Sequence, residues 1–183
     1  MDGTKHANNG NWNARATWAV YGRQPQFHFL LDILLPPCAT TDYPPSSPAT
    51  ADTETTYKFH VTTEGASPEW HYECAQWDEE DLPQAVSFTK IGEIPDGLDH
   101  RHLDEYLRGI PMTVSKVDGN REHLFTCRVW FREAVRQLHD SGIFVECHDI
   151  DSLENELTNR ATAAEYLGRL PQIYETKLAR PWQ

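Results

Sequence analysis

Cysteine is scarce in this chain. Four occur among 183 residues, Cys38, Cys74, Cys127 and Cys147, and no two of them form a Cys-x-x-Cys pair. That spacing excludes a disulfide-stapled scaffold and a structural zinc knuckle, and leads to the expectation of reduced thiols in a cytoplasmic protein. Positive charge is also short: 16 Lys and Arg face 28 Asp and Glu, for a net charge of −12. Duplex nucleic acid and anionic membranes both need a basic footprint, so neither is an expected partner. No apolar run approaches the length of a membrane span, and the longest cluster, residues 27–35, carries His28 and Asp32 within it. The first 13 residues are polar and Asn-rich, without the apolar stretch of a secretory leader. A phosphate-cradling glycine loop and a Gly-x-Ser-x-Gly elbow are both missing. No cofactor is therefore expected.

What is present reads as one domain. Residues 1–14 have the composition of a flexible tail, and residues 15–183 are expected to form a single α+β domain. Residues 17–21 suggest a first strand. Residues 27–35 form the clearest one, with Phe27, Phe29, Leu31, Ile33 and Leu35 on one face and His28, Leu30, Asp32 and Leu34 on the other. Residues 39–55 are rich in Pro, Ser and Thr and read as a long surface loop, a candidate lid over a pocket. Three more strands follow at 57–62, 70–77 and 85–91, separated by turn chemistry, as in an antiparallel meander. Helical spacing then begins near Leu98 and stops at Gly109. Residues 112–117 are read as a further strand, ending at the turn signal Asp118-Gly119. From Cys127 to His139 the residues Cys127, Trp130, Phe131, Ala134, Val135 and Leu138 form an unbroken apolar stripe, with Thr126 as N-cap and Gly142 as terminator. A last helix spans about 153–168. The expected architecture is an antiparallel sheet with packed helices.

The chemistry this pattern offers centres on Cys127. It opens a helix, where unsatisfied amide groups and the helix dipole favour an anion and so lower a thiol's pKa. The alternative is a small buried hydrophobe, since free cysteines are among the most buried residues. A nucleophilic cysteine needs a base, usually a histidine brought close by the fold. Of nine histidines, His28 sits in the most apolar strand, His60 lies opposite Tyr57, Phe59 and Val61, and His71 lies opposite Trp70 and Tyr72. Metal sites are not expected. His100 and His102 stand two apart, off one helix face, and Cys147-His148-Asp149 are adjacent residues that seldom chelate one ion. The acidic turn Asp78-Glu79-Glu80-Asp81 lacks the spacing of a calcium loop.

Two segments carry a resemblance. Gln26-Phe27-His28-Phe29-Leu30 followed by Phe125-Thr126-Cys127-Arg128-Val129-Trp130 resembles the order of a circularly permuted papain-like fold, of the lecithin:retinol acyltransferase type, in which the histidine strand precedes the cysteine helix. The second segment is also similar to small fungal proteins that carry a Cys-Arg-x-Trp helix start after a histidine-bearing strand. The resemblance implies a cysteine-dependent acyl-transfer enzyme, hydrolase or transferase. Cys127 would attack a carbonyl, His28 would carry the proton, and His60 would orient the imidazole. Amides at the start of the helix would form part of an oxyanion hole. The implied substrate is a small-molecule or peptide-like acyl compound, with amide formation in fungal secondary metabolism as one version.

A narrower version, a cyclodipeptide synthase drawing on aminoacyl-tRNA, is disfavoured by the acidic charge. It would need Arg128, Arg132 and Arg136, which stand at i, i+4 and i+8, to present a basic stripe; the simpler reading of that stripe is a solvated helix face. The competing function is a non-catalytic small-molecule or protein binding domain in which Cys127 is inert and buried.

Overall fold

The computed structural model describes residues 13–21, 26–35, 55–63, 69–77, 85–167 and 173–182. The acidic turn 78–81, Cys38, residues 1–12 of the expected tail and all but the last residue of the expected loop 39–55 lie outside them. Strands β1 (Asn13–Tyr21), β2 (Gln26–Leu35), β3 (Thr55–Thr62), β4 (His71–Trp77) and β5 (Ala85–Gly92) precede helices α1 (His100–Leu107), α2 (Cys127–Asp140) and α3 (Ile150–Tyr166), and a short β6 (Ile173–Glu175) ends the series. The fold is mixed α+β, as the alternation of periods indicates. Strand β1 begins at Asn13, two residues inside the expected tail.

The six strands form one sheet in the order β4-β3-β2-β1-β5-β6. The first five pair antiparallel, with β5 on the far side of β1 from β2. β6 departs from the expected meander by pairing parallel to β5. Its three residues follow Pro171 and are too few to show an alternation of their own. The registers place Leu31 opposite Phe59, Phe59 opposite Cys74, and Val61 opposite Tyr72. Directly paired residues share a face, so Phe59 and Val61 of β3 share one face of the sheet with Cys74 and Tyr72 of β4. The core cluster joins Phe59, Val61 and Ile91 of that face to Trp130, Phe131, Ala134 and Val135 of α2, to Leu103 and Leu107 of α1, and to Leu153 and Leu157 of α3.

Local chemistry explains the helix ends. Thr126 is extended and its hydroxyl accepts from the Val129 amide at 3.4 Å, which fixes the start of α2. Gly142 takes φ +67° just past Ser141, a left-handed position that ends α2 as its sequence suggests. Asp99 caps α1 by accepting from the amides of Arg101 and His102, and Asp149 caps α3 through the Ser152 amide. The strand expected at 112–117 is instead irregular chain and turn. Asp118 N–H donates to the Ser115 carbonyl at 3.1 Å, Val117 is exposed, and Asp118 is buried. The turn delivers one carboxylate inward.

Gly92 closes the core at the end of β5. A Cβ at this position would stand 2.6 Å from the Phe144 carbonyl oxygen and 2.7 Å from Val145 Cγ2, so the backbone of the α2–α3 connection would have to move. Gly92→Ala is expected to cost about 1–3 kcal/mol in urea unfolding. Gly109→Ala, where an added Cβ meets nothing within 4 Å, should leave the midpoint close to that of the wild type.

Candidate functional site

The three residues of the expected triad fall on two faces of the sheet. Cys127 is the first residue of α2, only 7% exposed, and belongs to the core cluster with Phe59 and Val61. His60 stands between those two on β3, so the pleat turns it to the other face. Its Nε2 there lies 3.4 Å from Glu73 Oε2, on the paired position of β4. The register carries the same alternation into β2. Leu31 and Ile33 face Phe59 and Tyr57, so position 28 falls on the His60 face. By alternation along the register, position 28 falls in the same set as His60, and Cys127 belongs to the cluster on the face covered by helices. His71, paired with Thr62, also belongs to the His60 face.

The arginine stripe of α2 is neither a free basic surface nor a solvated one. Arg132 is 3% exposed, and its guanidinium donates to Asp118 Oδ1 at 2.7 and 3.1 Å and to Glu154 Oε2 at 2.5 Å. Arg136 donates to both oxygens of Asp118 at 2.7 Å and to Glu133. Arg128 reaches Glu154 at 2.8 Å and Glu122 at 2.5 Å. Arg121 extends the network to Asp151 and Glu154. Burial alone would raise the Asp118 carboxyl; hydrogen bonds from Arg136 and Arg132, and their charge, outweigh it and hold the group well below the usual carboxylate range. The network ties α2 to α3 and to the 115–122 turn. Its guanidiniums are committed within the fold, which removes the basic stripe that recognition of aminoacyl-tRNA required.

A polar cleft does occur elsewhere, between α1 and the β3–β4 end of the sheet, with a volume of about 550 Å³. Tyr57, Tyr72 and Cys74 supply its sheet wall, and His100, Arg101, Asp104 and Arg108 its helix wall. The four helix residues stand at i, i+1, i+4 and i+8, one face of α1. Tyr57 and His100 stack with ring centroids 3.7 Å apart and planes 7° from parallel. Tyr72 donates to Asp104 Oδ1 at 2.8 Å, and Asp104 also holds Arg108. Burial pushes the Tyr72 hydroxyl and the Cys74 thiol up, with Arg108 partly offsetting both. It pushes the His100 imidazole down against the pull of Asp99. At neutral pH the cleft thus presents a neutral thiol, a neutral imidazole and charged guanidiniums. Sequence reasoning considered His100 only as a metal ligand, and the described residues hold no group of three or more metal-ligating side chains. The missed signal was the pattern His100, Arg101, Asp104, Arg108 along one helix face.

Other parts of the described chain are committed to structure. Burial pushes the Cys147 thiol up to about 11. The end of α2 is held by His139, whose Nδ1 accepts from the Cys147 amide at 3.2 Å while its ring stacks on Trp182. Among the described residues no helix is long and apolar enough to cross a membrane.

The ion network makes a measurable prediction. Arg132→Met leaves Asp118 and Glu154 buried beside fewer cations, and should cost about 3 kcal/mol at pH 7. Because the folded-state pKa of Asp118 is depressed, its stabilisation is full above the unfolded value of about 4 and is lost as pH falls through the folded one. The gap between variant and wild type should therefore narrow on acidification below about pH 4. Urea titrations of both proteins across pH 3–7 check this.

No family model, curated protein or solved structure matches this chain.

Proposed function

We propose that this chain is a non-catalytic binding domain whose ligand site is the cleft between α1 and the β3–β4 end of the sheet. One observation carries the reading. Aromatic and charged side chains converge on that cleft from two strands and a helix, outside the sealed apolar cluster. Polar groups gathered on a concavity of this size are what orient a small ligand, while the walls provide the contact area. The cleft contains a thiol and an imidazole, yet burial holds Cys74 in its thiol form, and a thiol without thiolate character is a poor nucleophile. Asp104 is already engaged by Tyr72 and Arg108. The chemistry available is recognition.

A second reading keeps a specific observation. Helix α2 does begin at Cys127 with a Thr126 cap, the local setting that activates thiols, and β2 with His28 precedes it, in the order of a permuted papain-like acyltransferase. This reading requires a base on the helix-covered face, whereas the pleat assigns positions 28 and 60 to the other.

Native-state alkylation with iodoacetamide separates the two. The binding reading expects Cys74, half-exposed in the cleft, to react slowly and Cys127 to be protected until the protein unfolds. Cys127 labelling first, and faster than a free thiol, would transfer the argument to acyl transfer. A fragment library scored by thermal shift then tests the site itself. Compounds that raise the midpoint should protect Cys74 from alkylation and lose their effect in Tyr57→Ala. Stabilising compounds that leave Cys74 labelling unchanged would move the site elsewhere.

A further inference from the structure

The cleft has a charge and a shape of its own, and they narrow its ligand. The surrounding sequence is the most acidic part of the chain: residues 54–105 hold 13 acids and 3 bases. Two of the cleft-lining residues nevertheless are arginines, Arg101 and Arg108, against the single carboxylate of Asp104. Asp104 pairs with Arg108. Arg101 makes no ion pair among the described residues and is exposed. One guanidinium on the cleft wall is thus left over. The amide groups at the start of α1 do not share its task, because Asp99 accepts from those of Arg101 and His102. Any anion in this cleft is read by side chains.

The shape comes from the paired rings. Tyr57 and His100, one from the sheet and one from the helix, are held parallel in contact; each fills one face of the other, so what the preassembled pair offers a ligand is its outer side. Preassembly lowers the ordering cost of binding. His100 Nδ1 is sealed from solvent and has no hydrogen-bond partner among the described residues, which agrees with an imidazole used as a ring rather than as a charge. With His100 neutral, the cleft's positive charge belongs to arginine alone and does not titrate near neutral pH.

We infer that the cleft binds a small planar aromatic anion, its ring against the Tyr57–His100 pair and its negative group on the Arg101 guanidinium, with Arg108 alongside. Arginine suits a carboxylate or sulfonate because its planar fork matches two oxygens. The inference rests on the cleft being the ligand site and adds the class of ligand.

Isothermal titration of the intact protein with three probes tests it: 2-naphthoate, its uncharged amide, and cyclohexanecarboxylate. The expected result is that 2-naphthoate binds, that the amide binds on the order of tenfold more weakly, and that the non-aromatic anion binds more weakly still. Affinity for 2-naphthoate should fall in 0.5 M salt and stay level between pH 6.5 and 8. Arg101→Gln, an exposed substitution that spares the core, should remove the preference of naphthoate over its amide. Equal binding of acid and amide, or a preference unchanged in Arg101→Gln, would overturn the anion assignment while leaving the cleft as a ligand site. Failure of all three probes would overturn the ligand class. The Cys74 protection screen decides independently whether the cleft binds anything.

Discussion

The pleat of β3 is the constraint on which the rest of the molecule depends. Successive residues of a strand point to opposite faces, and Phe59, His60 and Val61 are all nearly closed to solvent. Phe59 and Val61 enter the core beneath α2, so His60 must leave it. The registers extend that decision sideways to Leu31 in β2 and to Tyr72 and Cys74 in β4. One strand's phase therefore settles which face the helices cover, where Cys127 is buried, and which side chains reach the α1 cleft. A slip of one residue would reverse all of these together.

A second constraint holds the helices in place over that face. Arg132 sits between Asp118 and Glu154 with almost no access to water. Buried pairs of this kind add little net stability over apolar residues, because desolvation opposes the attraction. Their effect here is positional. Arg128, Arg132 and Arg136 each require a carboxylate from the 115–122 turn or from α3, apart from the local contact to Glu133. The turn must then deliver Asp118 inward and α3 must lie along α2. The apolar stripe says that α2 is buried; the ion network says against which neighbours, and in which rotation.

Much of the fold was legible because period and punctuation are local. The alternation of 27–35, the stripe from Cys127 to Leu138 and the signals at Thr126 and Gly142 each depend on residues within a few positions. The split of His60 from Phe59 and Val61 was legible too. Which of the two faces α2 would cover was not, because that depends on packing across the whole sheet. The partners of the arginine stripe were hidden for the same reason: Glu154 stands 22 residues from Arg132 and 26 from Arg128. The segment 112–117 imitated a strand because it carries Met112, Val114 and Val117 just before a turn signal, while the demand for a buried Asp118 came from elsewhere. The cleft escaped notice because its two walls come from strands and a helix that only the tertiary fold brings together.

The separation of Cys127 from the histidine face is the claim from which the functional reading follows. It is tested most directly by following the imidazole resonances of His28 and His60 through a pH titration by NMR, in the wild type and in Cys127→Ala. If the sheet lies between them, both histidines should titrate at the same midpoints in the two proteins, within about 0.2 unit against the unit-scale shifts that a direct charge partner produces. A shift of about one unit or more in either histidine on removing the thiol would show that Cys127 and that imidazole share a site, and would contradict the account.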